Sequence, residues 1–228
     1  EIVLRLTRTL ARLAPRQPLP LRLCHAVLEV AEGRDSAIAL GLTTHGRSVL
    51  CATSPAAARF EDAQDLVGQG PSLEALRSGR YVGCLDLSEH RARWPQLVDA
   101  TVDLGLGKVQ ALPIRPGPVT IGVLTVHHEV GHRDTLEPTD LQFLADAVGA
   151  AILGELPDLH TSSSLWTHRD RVSQATGMVV AQLGVGPEDA VAVLRAHAFA
   201  QETTLAEISA LVVARELDFR APDGEGSS

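Results

Sequence analysis

The stretch RVSQATGMVVAQLGVGPEDAVAVLRAHAFAQETTLAEISALVVAREL, residues Arg171–Leu217, decides how the C-terminal part of the chain folds. It holds three apolar patterns at helical spacing, separated by two tight breaks, Gly184-Val185-Gly186-Pro187 and Gln201-Glu202-Thr203-Thr204. Val172, Ala175, Val179 and Leu183 recur at intervals that place them on one face of a helix running from about Leu165 to Leu183. Gly177 lies inside that helix, where glycine costs about 1 kcal/mol relative to alanine; this predicts that it lets a second helix approach closely. Pro187 suits the first position of the next helix, and Glu188 and Asp189 complement its N-terminal dipole. Ala190, Val191, Leu194 and Ala198 form its inner face. Thr204 and Glu207 have capping-box spacing for a third helix, with Leu205, Ile208, Leu211 and Val212 packing inward. Together these patterns predict a compact three-helix bundle.

Upstream, the pattern is mixed. Glu1–Leu13 and Leu21–Ala31 have helical periodicity, with Pro15, Pro18 and Pro20 between them. Ser36–Leu42 and Arg47–Thr53 read as a hairpin around Thr44-His45-Gly46. Ser54-Pro55 opens a helix that runs to Gly68, and a short helix follows from Ser72 to Ser78. Tyr81–Leu85, Val109–Ile114 and Val119–Val126 are strand candidates, and Arg93-Trp94-Pro95 leads into another helix. Thr139–Leu153 is amphipathic and is expected to end at Pro157. The resulting plan is an α+β sheet domain followed by an all-α bundle. It divides into residues 1–156 as a first domain with flanking helices, 157–164 as a linker, 165–217 as the bundle and 218–228 as a disordered tail.

Composition narrows the function. Hydrophobic residues make up 45% of the 228, enough for a globular core. No apolar run suits a membrane span, the first residues lack a signal peptide's apolar stretch, and the sparse cysteine usage suits a reducing, cytoplasmic setting. Cys24, Cys51 and Cys84 are an odd, widely spaced set that suggests neither a metal pattern nor a disulfide framework. The net charge of −8 argues against broad nucleic-acid binding through phosphate neutralisation.

The ordered pieces in the bundle resemble the ANTAR family, an RNA-binding module of transcription antiterminators. They are Ala175-Thr176-Gly177-Met178, then Glu188-Asp189-Ala190, then Leu194-Arg195-Ala196-His197-Ala198. Thr176 departs from the pattern, since many members have lysine there and could use it on a phosphate. From about Leu19 to Leu153 the sequence looks like a GAF domain. That resemblance is carried by the run from Asp62 to Leu76, by Arg93-Trp94-Pro95, and by Ala111-Leu112-Pro113-Ile114 before a strand bearing Gly122. The resemblance implies a sensor domain, often with a small-molecule cavity on one face of the sheet, controlling a domain that grips paired stem-loops in nascent RNA. No nucleophile–base pair or paired catalytic carboxylates stand in a motif, so no enzyme is expected; no metal or cofactor is expected either, and the GAF ligand is left unidentified.

For RNA contact the candidates are Arg169, Arg171 and Arg195, with Gln174 for a base edge and His168 for stacking. For His197, packing or capping is the favoured role. The packing set of the motif is Ala175, Gly177, Met178, Ala190, Leu194 and Ala198. Between Leu165 and Leu217 there are 4 Arg against 6 Asp or Glu, so no basic stripe is present. A homodimer, paired through the helices Glu1–Leu13 and Thr139–Leu153, would double the contact set. The alternative is a ligand sensor whose helical module docks a protein and binds no RNA. A third reading is a haem or metal sensor using Cys24, His25 or the cluster His127, His128, Glu129 and His132. Strand alternation separates His127 from His128, and solvated histidines are the favoured expectation there. Gly68-Gln69-Gly70-Pro71 reads as a structural turn, since it lacks the Gly-Lys-Ser/Thr ending of a phosphate loop.

Overall fold

Five short strands with alternating helices build one antiparallel sheet, in the order β2-β1-β5-β4-β3. The computed structural model describes residues 1–13, 17–43, 46–159 and 163–220, without the side chains of 42, 43, 46, 155–159 and 163–170. The strands are β1 (Asp35–Thr43), β2 (Gly46–Ala52), β3 (Val82–Cys84), β4 (Lys108–Ile114) and β5 (Gly122–His128). The expected α+β class is therefore observed. The hairpin turn at 44–45 lies outside the described residues.

The central strands β4 and β5 are buried along their whole length. Helices cover both faces, which is why these strands carry buried apolar residues on both of them, such as Val109 and Val123 on one and Leu112 and Leu124 on the other. On one side lie α1 (Ile2–Arg12), α2 (Leu19–Ala31) and α6 (Pro138–Leu159), which contact one another. A Cβ on Gly149 of α6 would fall 2.4 Å from Ile114, so glycine is what lets this helix lie down on β4. On the other side are α3 (Pro55–Val67), α4 (Pro71–Ser78), α5 (Pro95–Thr101) and two 3-10 turns, Leu87–His90 and Val102–Leu104. Phe60, Trp94, Leu97 and Val98 from this layer pack with Val82, Val109, Ala111 and Val123 of the sheet.

Local signals explain the helix ends. Ser54 accepts a hydrogen bond from the Ala57 amide with Pro55 at the first helical position, and Gly68 closes α3 in the left-handed region at φ 69°. Gly68-Gln69-Gly70-Pro71 is the connection from this C-cap to the N-cap of α4, a structural turn. Helix α6 runs through Pro157 to Leu159, past the expected stop. Proline at 157 removes one N–H donor, and the helix continues for only two residues beyond it.

The chain forms two compact units, divided between Thr161 and Ser162 over most of its length. The second unit contains α7 (Ser163–Leu183), α8 (Pro187–Ala200) and α9 (Leu205–Val213). Much of the segment expected as a linker is thus helical on either side of residues 160–162, which lie outside the described residues. The expected tail starts too early at 218. Phe219 packs edge-on against His197, with ring centres 5.2 Å apart, and its amide donates to Gln182 Oε1 at 3.3 Å. Residues 221–228 lie outside the described residues.

Candidate nucleic-acid interface

The bundle's core is made of Ala175 and Val179 from α7, Ala190, Val191, Leu194 and Ala198 from α8, and Ile208 and Val212 from α9, all buried. Small side chains at Ala175, Ala190 and Ala198 allow close helix approach around the larger Leu194 and Ile208. Met178 is half-buried at the edge of this core. Helix α9 starts in a full capping box: Thr204 Oγ1 accepts from the Glu207 amide at 3.2 Å, and Glu207 Oε2 accepts from the Thr204 amide at 3.1 Å.

Three expected packing roles are corrected. Gly177 is exposed, and a Cβ there would meet nothing within 4 Å, so it is not a point of close helix approach. Leu183 and Leu211 are 38% and 36% exposed, because the bundle is too small to cover the ends of both apolar stripes. Thr176 is buried, and its hydroxyl donates to the Val172 carbonyl at 2.7 Å. This position faces the bundle interior, so its departure from lysine removes nothing from the outer surface.

The RNA candidates do not all share one exposed face. Gln174 is exposed, Arg171 half-buried, and Arg195 half-buried on α8. The side chains of His168 and Arg169 are outside the described ones. His197 Nε2 lies 2.8 Å from Gln201 Nε2 and its ring packs on Phe219, a packing role. Phe199, 67% exposed, is the largest apolar group on the surface of α8 and was not picked out by periodicity.

The sheet domain holds two buried polar clusters, one on each face. Under α3, the Arg47 guanidinium pairs with Glu61 and donates from Nε to Asp65 Oδ1 at 2.7 Å. Burial opposes its charge, yet Asp65 and Glu61 hold its pKa above the ordinary value. Glu61 also accepts from Ser72, which in turn lies 2.9 Å from Thr125 Oγ1. His127 lies on the same face, fully buried against Phe60, and neither ring nitrogen has a hydrogen-bond partner. Burial pushes its pKa down to about 4.

On the opposite face, His128 Nε2 lies 2.8 Å from Gln110 Oε1, and its ring stacks on His132 at 4.3 Å. Burial, with His132 and Lys108 nearby, lowers the His128 pKa to about 4. His127 and His128 are therefore buried and neutral at pH 7, not solvated as expected, because β5 extends through both and helices cover both faces. Glu129 is exposed. Ligand atoms of His128, His132 and Asp134 lie within 4.8 Å of one another, yet Asp134 is already paired with the ammonium of Lys108. His25 is half-buried, and Cys24 is bonded to Cys51 through a disulfide that spacing alone did not suggest. That bond takes Cys24 out of the candidate haem or metal ligands. An open cleft of about 440 Å³ lies beside the α3–α4 turn, where Arg93 pairs with Glu74 and sits 4.8 Å over the Trp94 ring.

The ANTAR domain family matches residues 166–213. No curated protein matches the chain. Among solved structures, the GAF domain of an Acinetobacter phosphoenolpyruvate-protein phosphotransferase is similar, at 11% identity and TM-score 0.47 over 67% of this chain and 93% of that one. The GAF-B domain of DevS from Mycobacterium smegmatis gives 14% identity and TM-score 0.43, over 63% and 96%. Free methionine-R-sulfoxide reductase from Neisseria meningitidis gives 16% and 0.44, over 65% and 86%. The chain thus joins an α+β domain built on one antiparallel sheet to a helical bundle whose residues 166–213 match the ANTAR domain family.

Proposed function

We propose that this chain is a signal-responsive regulator whose bundle binds paired stem-loops in nascent RNA and so prevents a terminator hairpin from forming. The observation that carries the reading is the ANTAR match at 166–213 falling on a three-helix bundle whose motif residues Ala175, Ala190, Leu194 and Ala198 form its core. The sheet domain receives the signal, through a small-molecule ligand whose identity is open, and catalyses no reaction. No cofactor or metal is part of the proposal. The protein acts as a cytoplasmic homodimer, with one bundle for each stem-loop. Among the described residues no single helix is long and apolar enough to cross a membrane.

Arginine at 169, 171 and 195 supplies the phosphate and base-stacking contacts, since its flat guanidinium can do both. A gel-shift titration with a two-stem-loop RNA tests this. Replacing all three by alanine is expected to weaken binding at least tenfold while leaving the helical signal intact; unchanged binding would remove these residues from the interface. A second reading is favoured by the exposed apolar residues Leu183, Phe199 and Leu211, which suit docking of a protein. Lack of RNA binding at every salt concentration, together with loss of a captured partner on Phe199→Ala, would select it.

A further inference from the structure

Cys24 and Cys51 are joined, although 27 residues separate them. Cys24 comes from the buried face of α2 and is fully enclosed; Cys51 is half-buried near the end of β2, an outer strand of the sheet. Their Cα atoms are 6.9 Å apart, about the longest span a disulfide ordinarily bridges. In the bonded structure Cys51 Sγ also lies 3.0 Å from the Pro20 carbonyl in the first turn of α2, an acceptor within reach of the thiol that reduction would form there. The third cysteine, Cys84, is buried and has no sulfur partner.

We propose that Cys24 and Cys51 form a reversible oxidation site, a dithiol that hydroperoxides convert to a disulfide tying α2 to β2. The more accessible sulfur reacts first. Cys51 thiolate attacks the peroxide, the O–O bond breaks, and sulfur gains an oxygen as sulfenic acid while the other oxygen leaves as alcohol or water. The Cys24 thiol then loses its proton and its sulfur attacks that of Cys51. The S–S bond forms, the S–O bond breaks, and hydroxide leaves with the proton as water. The two sulfurs together lose two electrons to the peroxide, and a dithiol reductant returns them by exchange. Burial pushes the Cys84 thiol up to about 11, so it stays protonated and serves as an internal control. Because α2 contacts α1 and α6, the bond ties the helical layer to the rim of the sheet.

The test is a thiol count on the full chain and does not depend on RNA binding. Protein reduced with dithiothreitol, freed of it, and treated with hydrogen peroxide is unfolded, alkylated and weighed. The expected change is from three alkylated cysteines to one, Cys84, with a peptide pair joining Cys24 to Cys51. Dithiothreitol should restore all three in the folded protein. Cys24→Ser is expected to stop at a sulfenic acid on Cys51, trapped by dimedone, and Cys51→Ser to leave Cys24 a thiol. The oxidised form should melt about 5–10 °C above the reduced form. Three thiols surviving peroxide, a link through Cys84, or a bond that resists dithiothreitol in the folded protein would each overturn the proposal.

Discussion

At position 127 an imidazole occupies space that an apolar side chain would fill. Its neighbours are Phe60 and the buried strands, and it has no hydrogen-bond partner for either nitrogen. The cost of this arrangement appears in acid. Folded His127 takes a proton only near pH 4, whereas an unfolded histidine takes one near 6.5. Between these values the unfolded chain binds more protons, so stability is complete above about pH 6.5 and falls as the pH drops towards 4. His128 adds to the same loss from the other face. Urea denaturation at pH 7.5, 6 and 5 is expected to show this decline, and His127→Leu to flatten it. An equal slope in wild type and variant would show that His127 does not carry it. The sequence could place these histidines on opposite faces, since strand alternation requires it. It could not show that both faces are covered, because coverage depends on how α3, remote in the chain, and α6, the next element, fold back onto the sheet.

At the scale of elements, the helix boundaries with chemical signals were readable. Ser54-Pro55, Gly186-Pro187 and the Thr204–Glu207 box each satisfy orphan amides or fix φ locally, and they stand where spacing placed them. Contacts between elements were less readable. Gly177 looked like a packing glycine but faces open space, so its side chain is missing without any steric need. Gly177→Ala is therefore expected to stabilise the bundle by about 0.5–1 kcal/mol, read as a raised urea midpoint. A loss of stability would mean that a helix does approach there. Thr204→Ala removes the cap of α9 and is expected to cost about 1 kcal/mol in the same measurement; no change would mean that the box contributes nothing.

For the whole molecule, charge and topology set the limits. A net charge of −8 works against RNA at long range, so the proposed contact must rest on a few local arginines. With three phosphate contacts per bundle, log affinity against log salt should fall with a slope of about −2 to −3 per subunit. A slope near zero would point to contacts other than phosphate. Neither the Cys24–Cys51 bond nor the Arg47–Glu61 pair could be read from spacing, since each joins segments that only the folded sheet brings together. The arginine pair has a consequence for crowded conditions. Outer strands are templates on which foreign chains can aggregate. Here one rim, β3, is only three residues long, and the other, β2, holds a charge turned inward at Arg47. Growth of the sheet by stacking more molecules is discouraged at both rims. Arg47→Met should therefore make concentrated solutions turbid on warming before the fold is lost, as followed by light scattering, whereas the native chain stays clear up to its unfolding temperature.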